Sequence, residues 1–386
     1  MSRMKLSRRS ALRQFGVGAV MTALPSMAHA ARVPSSSAAA GVERDGSPGP
    51  IRLDLTGNSR GPSPRAMAAM QDALRTAVRS DEELVRLREA IARHHHVEPS
   101  QVVLGCGSGE ILRMAAASFT GRGKALVVAD PTCPLVTQYA VRGGARVVSV
   151  PVRADHAHDL SAMLAAIDGT TGLVYVCNPN NPTGTLTRRQ DLETFLRRIP
   201  GTPAILIDEA YHDYVERTSD TVSFLDQPID DERLMVVRSL SKIHGMAGMR
   251  VGYAVTTSRL ASLAGYSALE DNVNVIAARG AVAALEDAAY VRESAGLTTN
   301  ERQEFLNQAN ARMLPSIDSQ TNFVMLDTQR QVGRVLDFFR AHGIALAAPV
   351  PRFDTYLRIS IGTPADMLEF WRIWDLMPFP PKTHRM

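Results

Sequence analysis

The chain has 386 residues, 45% hydrophobic and 21% charged, the make-up of a globular protein with an ample core; collagen-like, coiled-coil and wholly disordered chains are excluded. The formal net charge of +4 sits at one end, because Arg3, Lys5, Arg8, Arg9 and Arg13 put five positive charges and no acid into residues 1–30, leaving −1 for the rest. With a nearly neutral remainder and no basic stripe interleaved with aromatics, a nucleic-acid-binding surface is excluded as well.

Residues 1–30 have the order of an export signal. The charged start is followed by an apolar, Gly/Ala-rich run from Phe15 to Leu24 and by Ala28-His29-Ala30, small residues of the kind a signal peptidase reads. The run falls short of the about 20 apolar residues that span a bilayer, so it predicts a removable signal with no membrane association afterwards. Residues 31–50, rich in Ser, Ala, Gly and Pro, predict a flexible linker, with structure beginning near Ile51. Helical periodicity then covers Pro64–Arg79 and Glu82–His95. His94, His95 and His96 close the second helix; consecutive helical residues point in three directions and cannot chelate one ion, so a solvated helix end is expected.

A short apolar run, Val102–Leu104, leads into Gly105-Cys106-Gly107-Ser108-Gly109, and a regular alternation follows. Strand-like runs at Ala125–Ala129, Arg146–Val150, Leu173–Cys177, Ala204–Ile207, Leu234–Val237 and Val251–Val255 are separated mostly by helical stretches. This is the pattern of an α/β fold: a three-layer α/β/α large domain around a mostly parallel sheet. After a helix-rich stretch from Val273 to Met313, strands at Asn322–Leu326 and Tyr356–Ile361 flank helices near Gln331–His342 and Pro364–Met377, which predicts a smaller α+β domain. The expected boundaries are 51–80 for an N-terminal segment, 81–287 for the large domain and 288–386 for the small one. Cys106, Cys133 and Cys177 are too few for a disulfide framework and read as small hydrophobes; no Cys/His spacing suggests a metal.

In open α/β sheets ligands bind past the strand ends, and four polar segments fall there. Gly107-Ser108-Gly109 opens a helix whose free N–H groups favour an anion such as phosphate. Asn178-Pro179-Asn180-Asn181-Pro182-Thr183-Gly184 makes a rigid loop able to aim Asn181. Asp208-Glu209-Ala210-Tyr211 puts an acid at the end of a buried strand beside a tyrosine hydroxyl. Ser239-Leu240-Ser241-Lys242, with Arg250 eight residues on, suits a Schiff-base lysine near an anion-binding arginine. Singly, Asp208 reads as a helix cap, Lys242 as a surface charge and Arg250 as an ion-pair partner; their joint order at strand ends favours one site.

These segments, together with Tyr356-Leu357-Arg358-Ile359-Ser360-Ile361-Gly362, resemble those of fold-type I, class I/II pyridoxal-phosphate aminotransferases, most closely the histidinol-phosphate branch, from Leu53 to Trp374. The resemblance implies that Lys242 forms the Schiff base with pyridoxal 5'-phosphate and that Asp208 pairs with the pyridinium nitrogen. Asn181 and Tyr211 would bond the ring oxygen, Ser108, Gly109, Ser239, Ser241 and Arg250 the phosphate, and Arg358 the substrate carboxylate. It implies a homodimer in which the residue at Arg60 reaches the neighbouring subunit's phosphate, where an arginine would bind either the cofactor phosphate or an acidic substrate unless it is only a surface charge, and an amino donor and a 2-oxo acid acceptor as substrates. Ser7-Arg8-Arg9-Ser10-Ala11-Leu12-Arg13 resembles a twin-arginine signal, with Ala11 where an aromatic is usual, which predicts export to the periplasm.

The chain departs from its relatives in three places. Cys133 stands where an aromatic usually covers the ring, leaving sulfur contact or another aromatic such as Tyr139 to do so. Thr56-Gly57-Asn58-Ser59-Arg60-Gly61 replaces N-E-N-P-Y/L-G. Ile344–Pro349 lacks the V-R arginine of relatives that take histidinol phosphate, with Arg352 a possible substitute. A free amino acid or an amino-bearing metabolite is therefore expected as donor. An oxidase, decarboxylase, racemase or eliminase on the same scaffold is the alternative, and a non-catalytic cofactor-binding protein a second.

Overall fold

Seven strands form the central sheet in the computed structural model, which describes residues 49–378 apart from 77–80, 202, 217, 227–228, 230 and 266–271. The expected signal at 1–30 and all but the end of the linker at 31–50 lie outside the described residues. The strand β1 (Ile51–Leu53) and the helices α1 (Pro64–Thr76) and α2 (Asp81–His95) come before the sheet. The sheet strands are β2 (Val102–Cys106), β3 (Ala125–Asp130), β4 (Val147–Pro151), β5 (Thr171–Cys177), β6 (Ala204–Asp208), β7 (Leu234–Ser239) and β8 (Val251–Thr256), in the spatial order β2-β8-β7-β6-β5-β3-β4.

Alternation along each strand makes the layers. In β3, Leu126 and Val128 join one core and Val127 and Ala129 the other; in β6, Leu206 divides from Ile205 and Ile207 in the same way. One face is covered by α1, α2, α5 (Leu160–Ala165), α6 (Arg189–Arg198) and α8 (Val275–Leu285), through residues such as Met70, Ile91, Met163, Phe195 and Ala281. The other carries α3 (Ser108–Phe119), α4 (Pro134–Arg142) and α7 (Ser258–Gly265), through Ile111, Met114, Val136 and Ala264. Both faces being covered, the strands read as continuous apolar runs.

Only β8 runs against its neighbours, pairing antiparallel with both β7 and β2. No α-helix lies between Ser239 and Val251, so the chain has no crossover and must turn back beside β7. That short connection carries Lys242.

A third core lies among α9 (Ala288–Ala311), α10 (Val332–Ala341), α11 (Pro364–Leu376) and the antiparallel pair β9 (Phe323–Asp327) and β11 (Tyr356–Ser360). Phe339 stacks on Phe370 with centroids 4.7 Å apart, and Phe305 lies 4.8 Å from Trp371. The strand β1 pairs in parallel with β10 (Ile344–Leu346), Ile51 opposite Ile344, and so ties the N-terminal segment to this layer. Helix ends are set locally. Asp287 caps α9 by accepting from the Tyr290 N–H, and Thr363 with Asp366 forms a reciprocal cap ahead of α11, where Pro364 needs no partner for a missing N–H. Among the described residues no helix is long and apolar enough to cross a membrane.

Candidate functional site

The parallel strands β3, β5, β6 and β7 end at Asp130, Cys177, Asp208 and Ser239 on one edge of the sheet, and the candidate residues gather there. At one side is an anion cradle. Helix α3 starts at Ser108 behind Gly107, whose φ of 75° is the left-handed conformation that favours glycine. A Cβ on Gly107 would lie 2.1 Å from Arg250 Nη2, and one on Gly252 would lie 2.2 Å from the Ser108 nitrogen, so the arginine and the helix start close in because both positions are bare. Arg250 Nη1 donates to Ser241 Oγ at 3.2 Å and to the Ala247 carbonyl at 2.9 Å, while the Ser241 N–H donates to Ser239 Oγ at 3.3 Å. Glu110 folds back from the first turn of α3, accepting from the Cys106 N–H at 2.7 Å and from Asn272 Nδ2 at 2.9 Å, which fixes the loop. The start of α3, with Ser108 and Gly109, thus lies beside Arg250, which is bonded to Ser241 and through it linked to Ser239.

The floor is acidic and dry. Asp208, 4% exposed, accepts from the Tyr175 hydroxyl at 2.9 Å and the Ala210 N–H at 3.1 Å. Burial pushes its carboxyl above the usual range, while those two hydrogen bonds and the Lys242 charge oppose the shift. Lys242 Nζ donates to Thr56 Oγ1 at 2.5 Å and lies 4.7 Å from the centre of the Tyr211 ring; Thr56 Oγ1 is also 3.0 Å from the Tyr211 hydroxyl. Glu209, next to Asp208, serves the scaffold instead. It pairs with buried Arg238 at 3.0 Å and accepts from Ser223 Oγ and the Phe224 N–H, pinning the loop after β6.

Cys133, half-buried, starts α4. Burial, then the Asp208 charge, pushes its thiol up, while Tyr175 and Lys242 oppose the shift. Tyr139 packs against the same apolar core. Cys177 is buried as expected, whereas Cys106 is exposed at the end of β2. His95 also differs from the expected solvated end: it turns inward and bonds the Tyr253 hydroxyl at 2.8 Å, a contact with a residue far along the chain that helical spacing does not show. Among the described residues no group of His, Cys, Asp or Glu could hold a metal ion.

The roof comes from the ends of the described chain. Arg358, on β11, donates to Asn181 Oδ1 at 2.9 Å and to the Asp54 carbonyl at 3.4 Å, lies 5.5 Å from the centre of the Phe323 ring, and keeps its buried Nε–H without a partner. Asn322 Nδ2 holds the Thr56 and Gly57 carbonyls at 3.1 Å each, and the Asn58 side chain donates to the Ile243 carbonyl at 2.8 Å. Arg60 contacts α9 within the chain, pairing with Glu293 at 2.9 Å and lying over Tyr290. Arg352 pairs with Asp130 at 3.3 Å. Thr56, Tyr175, Asn58 and Asn322 were not foreseen. Tyr175 interrupts an aliphatic strand, which is a usable signal; the others have none, being ordinary polar residues in short connections.

The sequence profile of the family described as aminotransferase class I and II matches residues 53–372. The histidinol-phosphate aminotransferase of Methylobacillus flagellatus is 38% identical over 331 residues, covering 84% of this chain and 88% of the relative. That of Moorella thermoacetica is 36% identical over 315 residues, 81% of each. Among solved structures, the histidinol-phosphate aminotransferase of Sinorhizobium meliloti in complex with pyridoxal-5'-phosphate superposes with a TM-score of 0.79 at 27% identity, covering 85% of this chain and 92% of that one.

Proposed function

Since this chain belongs to the class I and II aminotransferases and is a pyridoxal-phosphate-dependent enzyme of fold type I, we propose that it moves an amino group from a free amino acid, or an amino-bearing metabolite, to a 2-oxo acid through Lys242. The observation that carries the site is the convergence, on one sheet edge, of the Lys242 amine, the buried Asp208 and the cradle at Gly107. These residues fit the cofactor. The bare glycines and Arg250 leave room and charge for a phosphate at the start of α3, and a buried acid on the floor suits a protonated ring nitrogen.

The chemistry that pyridoxal phosphate supplies when bound is an electron sink for the charge left at the substrate carbon. The chain does the rest. Asp208 holds positive charge at the floor, and its raised carboxyl, at a dry strand end, is better satisfied by a cation than by solvent. Lys242 Nζ would hold the cofactor by its aldehyde and would serve as the base for the substrate Cα proton. Tyr211 and Asn181 would orient its ring oxygen. Arg358 presents Nη1 to Asn181 and Nη2, 3.4 Å from the Asp54 carbonyl, side by side, so a carboxylate displacing Asn181 would gain two parallel hydrogen bonds from them and fix the angle of the Cα–H bond.

The relatives' names give histidinol phosphate as their substrate. In this chain Ile344–Pro349 has no cation, its first three residues are paired with β1, and the next arginine, Arg352, is held by Asp130. That supports a carboxylate-bearing donor over a phosphorylated one. A donor screen on the loaded enzyme, including histidinol phosphate and reading the new amino acid formed from a 2-oxo acid, tests this. Highest kcat/KM with histidinol phosphate overturns the substrate reading; oxygen uptake or carbon dioxide release without amino transfer overturns the reaction.

Two further readings belong to this proposal. Exposed Leu55, Leu74 and Val85 near the N-terminal segment support a homodimer in which Arg60 serves the neighbouring subunit. The ordered signal features of residues 1–30 support export to the periplasm by the twin-arginine route, tested by whether Arg8→Lys with Arg9→Lys keeps the enzyme inside.

A further inference from the structure

Thr56 is buried, and it is the residue whose side chain touches both the amine and the phenol of the site. Its position is imposed from outside its own side chain. Asn322 holds its carbonyl, and the Asn58 N–H donates to the Lys242 carbonyl at 3.2 Å, so the segment is stitched to the lysine loop. Gly245 lets the two backbones meet: a Cβ there would lie 1.9 Å from the Gly61 carbonyl oxygen. A hydroxyl has one proton to give and two lone pairs to offer, and an ammonium only donates. Thr56 Oγ1 therefore accepts from Lys242, and it keeps both a proton and a second lone pair with which to bond the Tyr211 hydroxyl.

We infer that Thr56 is a positioning residue for amino transfer: it holds the Lys242 amine within the site by accepting its hydrogen bond and links that amine to the Tyr211 hydroxyl. The inference rests on the reading of Lys242 as the lysine that binds the cofactor. It assigns work to the place where this chain has Thr-Gly-Asn, and it explains why a short N-terminal loop is clamped from three sides.

Capture of pyridoxal phosphate by cofactor-free protein tests it. The rate of appearance of the lysine-bound chromophore is followed across pH for the wild type, Thr56→Ser and Thr56→Val. Only an unprotonated amine condenses, and valine offers the ammonium no acceptor. The pH of half-maximal capture therefore moves down by about one unit in Thr56→Val, so that capture well below the midpoint is about tenfold faster, the opposite of what general damage does. Thr56→Ser, which keeps the acceptor, keeps the wild-type midpoint. Coincident midpoints for valine and wild type, or a serine variant that behaves like valine, overturn the inference. If the valine protein does not fold, Thr56→Cys, of similar shape and a weak acceptor, has to shift the midpoint in the same direction. Borohydride fixation of the wild type reads the lysine separately. A label away from Lys242 overturns the underlying reading, whereas a label on Lys242 with unmoved midpoints overturns the role of Thr56 alone.

Discussion

Asp208, Ser239 and Lys242 stand at or just past the ends of buried parallel strands, whereas Thr56, Arg352 and Arg358 reach the same site from segments outside the central sheet. The floor is held by strand register on two sides: Asp208 faces Cys177 in β5 and Val237 in β7. The roof is held by single side-chain contacts such as Arg358 to Asn181. On the proposed function, such a floor would serve any amino donor alike, and such a roof would tell donors apart.

The sharpest way to break that division is to remove the amine. Lys242→Ala is expected to lower turnover at least about 10³-fold for every donor, with no borohydride-fixed label on the protein by mass spectrometry. Selective loss, with some donors still turned over, would place donor choice in the floor. On the roof, Arg358→Ala removes a charge-assisted grip, and kcat/KM for carboxylate donors is expected to fall about 10- to 100-fold while cofactor absorbance persists. Loss of the cofactor as well would show that roof and floor are one unit.

Acid probes the floor from beneath. Buried His158 bonds Thr187, which is held in turn by Asn178 at the start of the loop carrying Asn181, and His95 bonds Tyr253 beside Arg238. Burial lowers both imidazoles from 6.5, to about 4 for His158 and about 3 for His95. The unfolded chain takes up protons below about pH 6.5 that the fold refuses, so stability falls from there to about pH 4 for His158 and on to about pH 3 for His95. Thermal melts are expected to show a lower midpoint at pH 5 than at pH 7.5. The smallest effect belongs to the exposed pair at the mouth: Arg352→Ala is expected to change kcat/KM by no more than about fivefold for donors without a distal anion. A larger loss confined to acidic donors would make Arg352 a reader of their far end.

The same division governs what the sequence reveals. The sheet strands β3, β5, β6, β7 and β8 begin within two residues of where their apolar runs begin, because full burial on both faces leaves a composition signal, and Asp208 lies one step, Ser239 two and Lys242 five past the end of such a run. The reversal of β8 is legible only from the absence of a helix between it and β7. The roof leaves little trace. Strands β1 and β10 have three residues each, too few for a period, and Thr56 meets Lys242 through a contact that no local pattern encodes. Glu209 illustrates a further limit: beside Asp208 in sequence, it turns away to Arg238, a choice made by the loop's packing.

The parallel pairing of Ile51–Leu53 with Ile344–Leu346 also sets an order of events during synthesis. Thr56 lies three residues past the first of these strands, so one anchor of the clamp over Lys242 forms only once residues 344–346 have been made. A chain cut short before residue 344 would keep the holds of Lys242, Ile243 and Asn322 on this segment but lose the strand that ties down its other end, and is expected to take up its vitamin B6 more slowly.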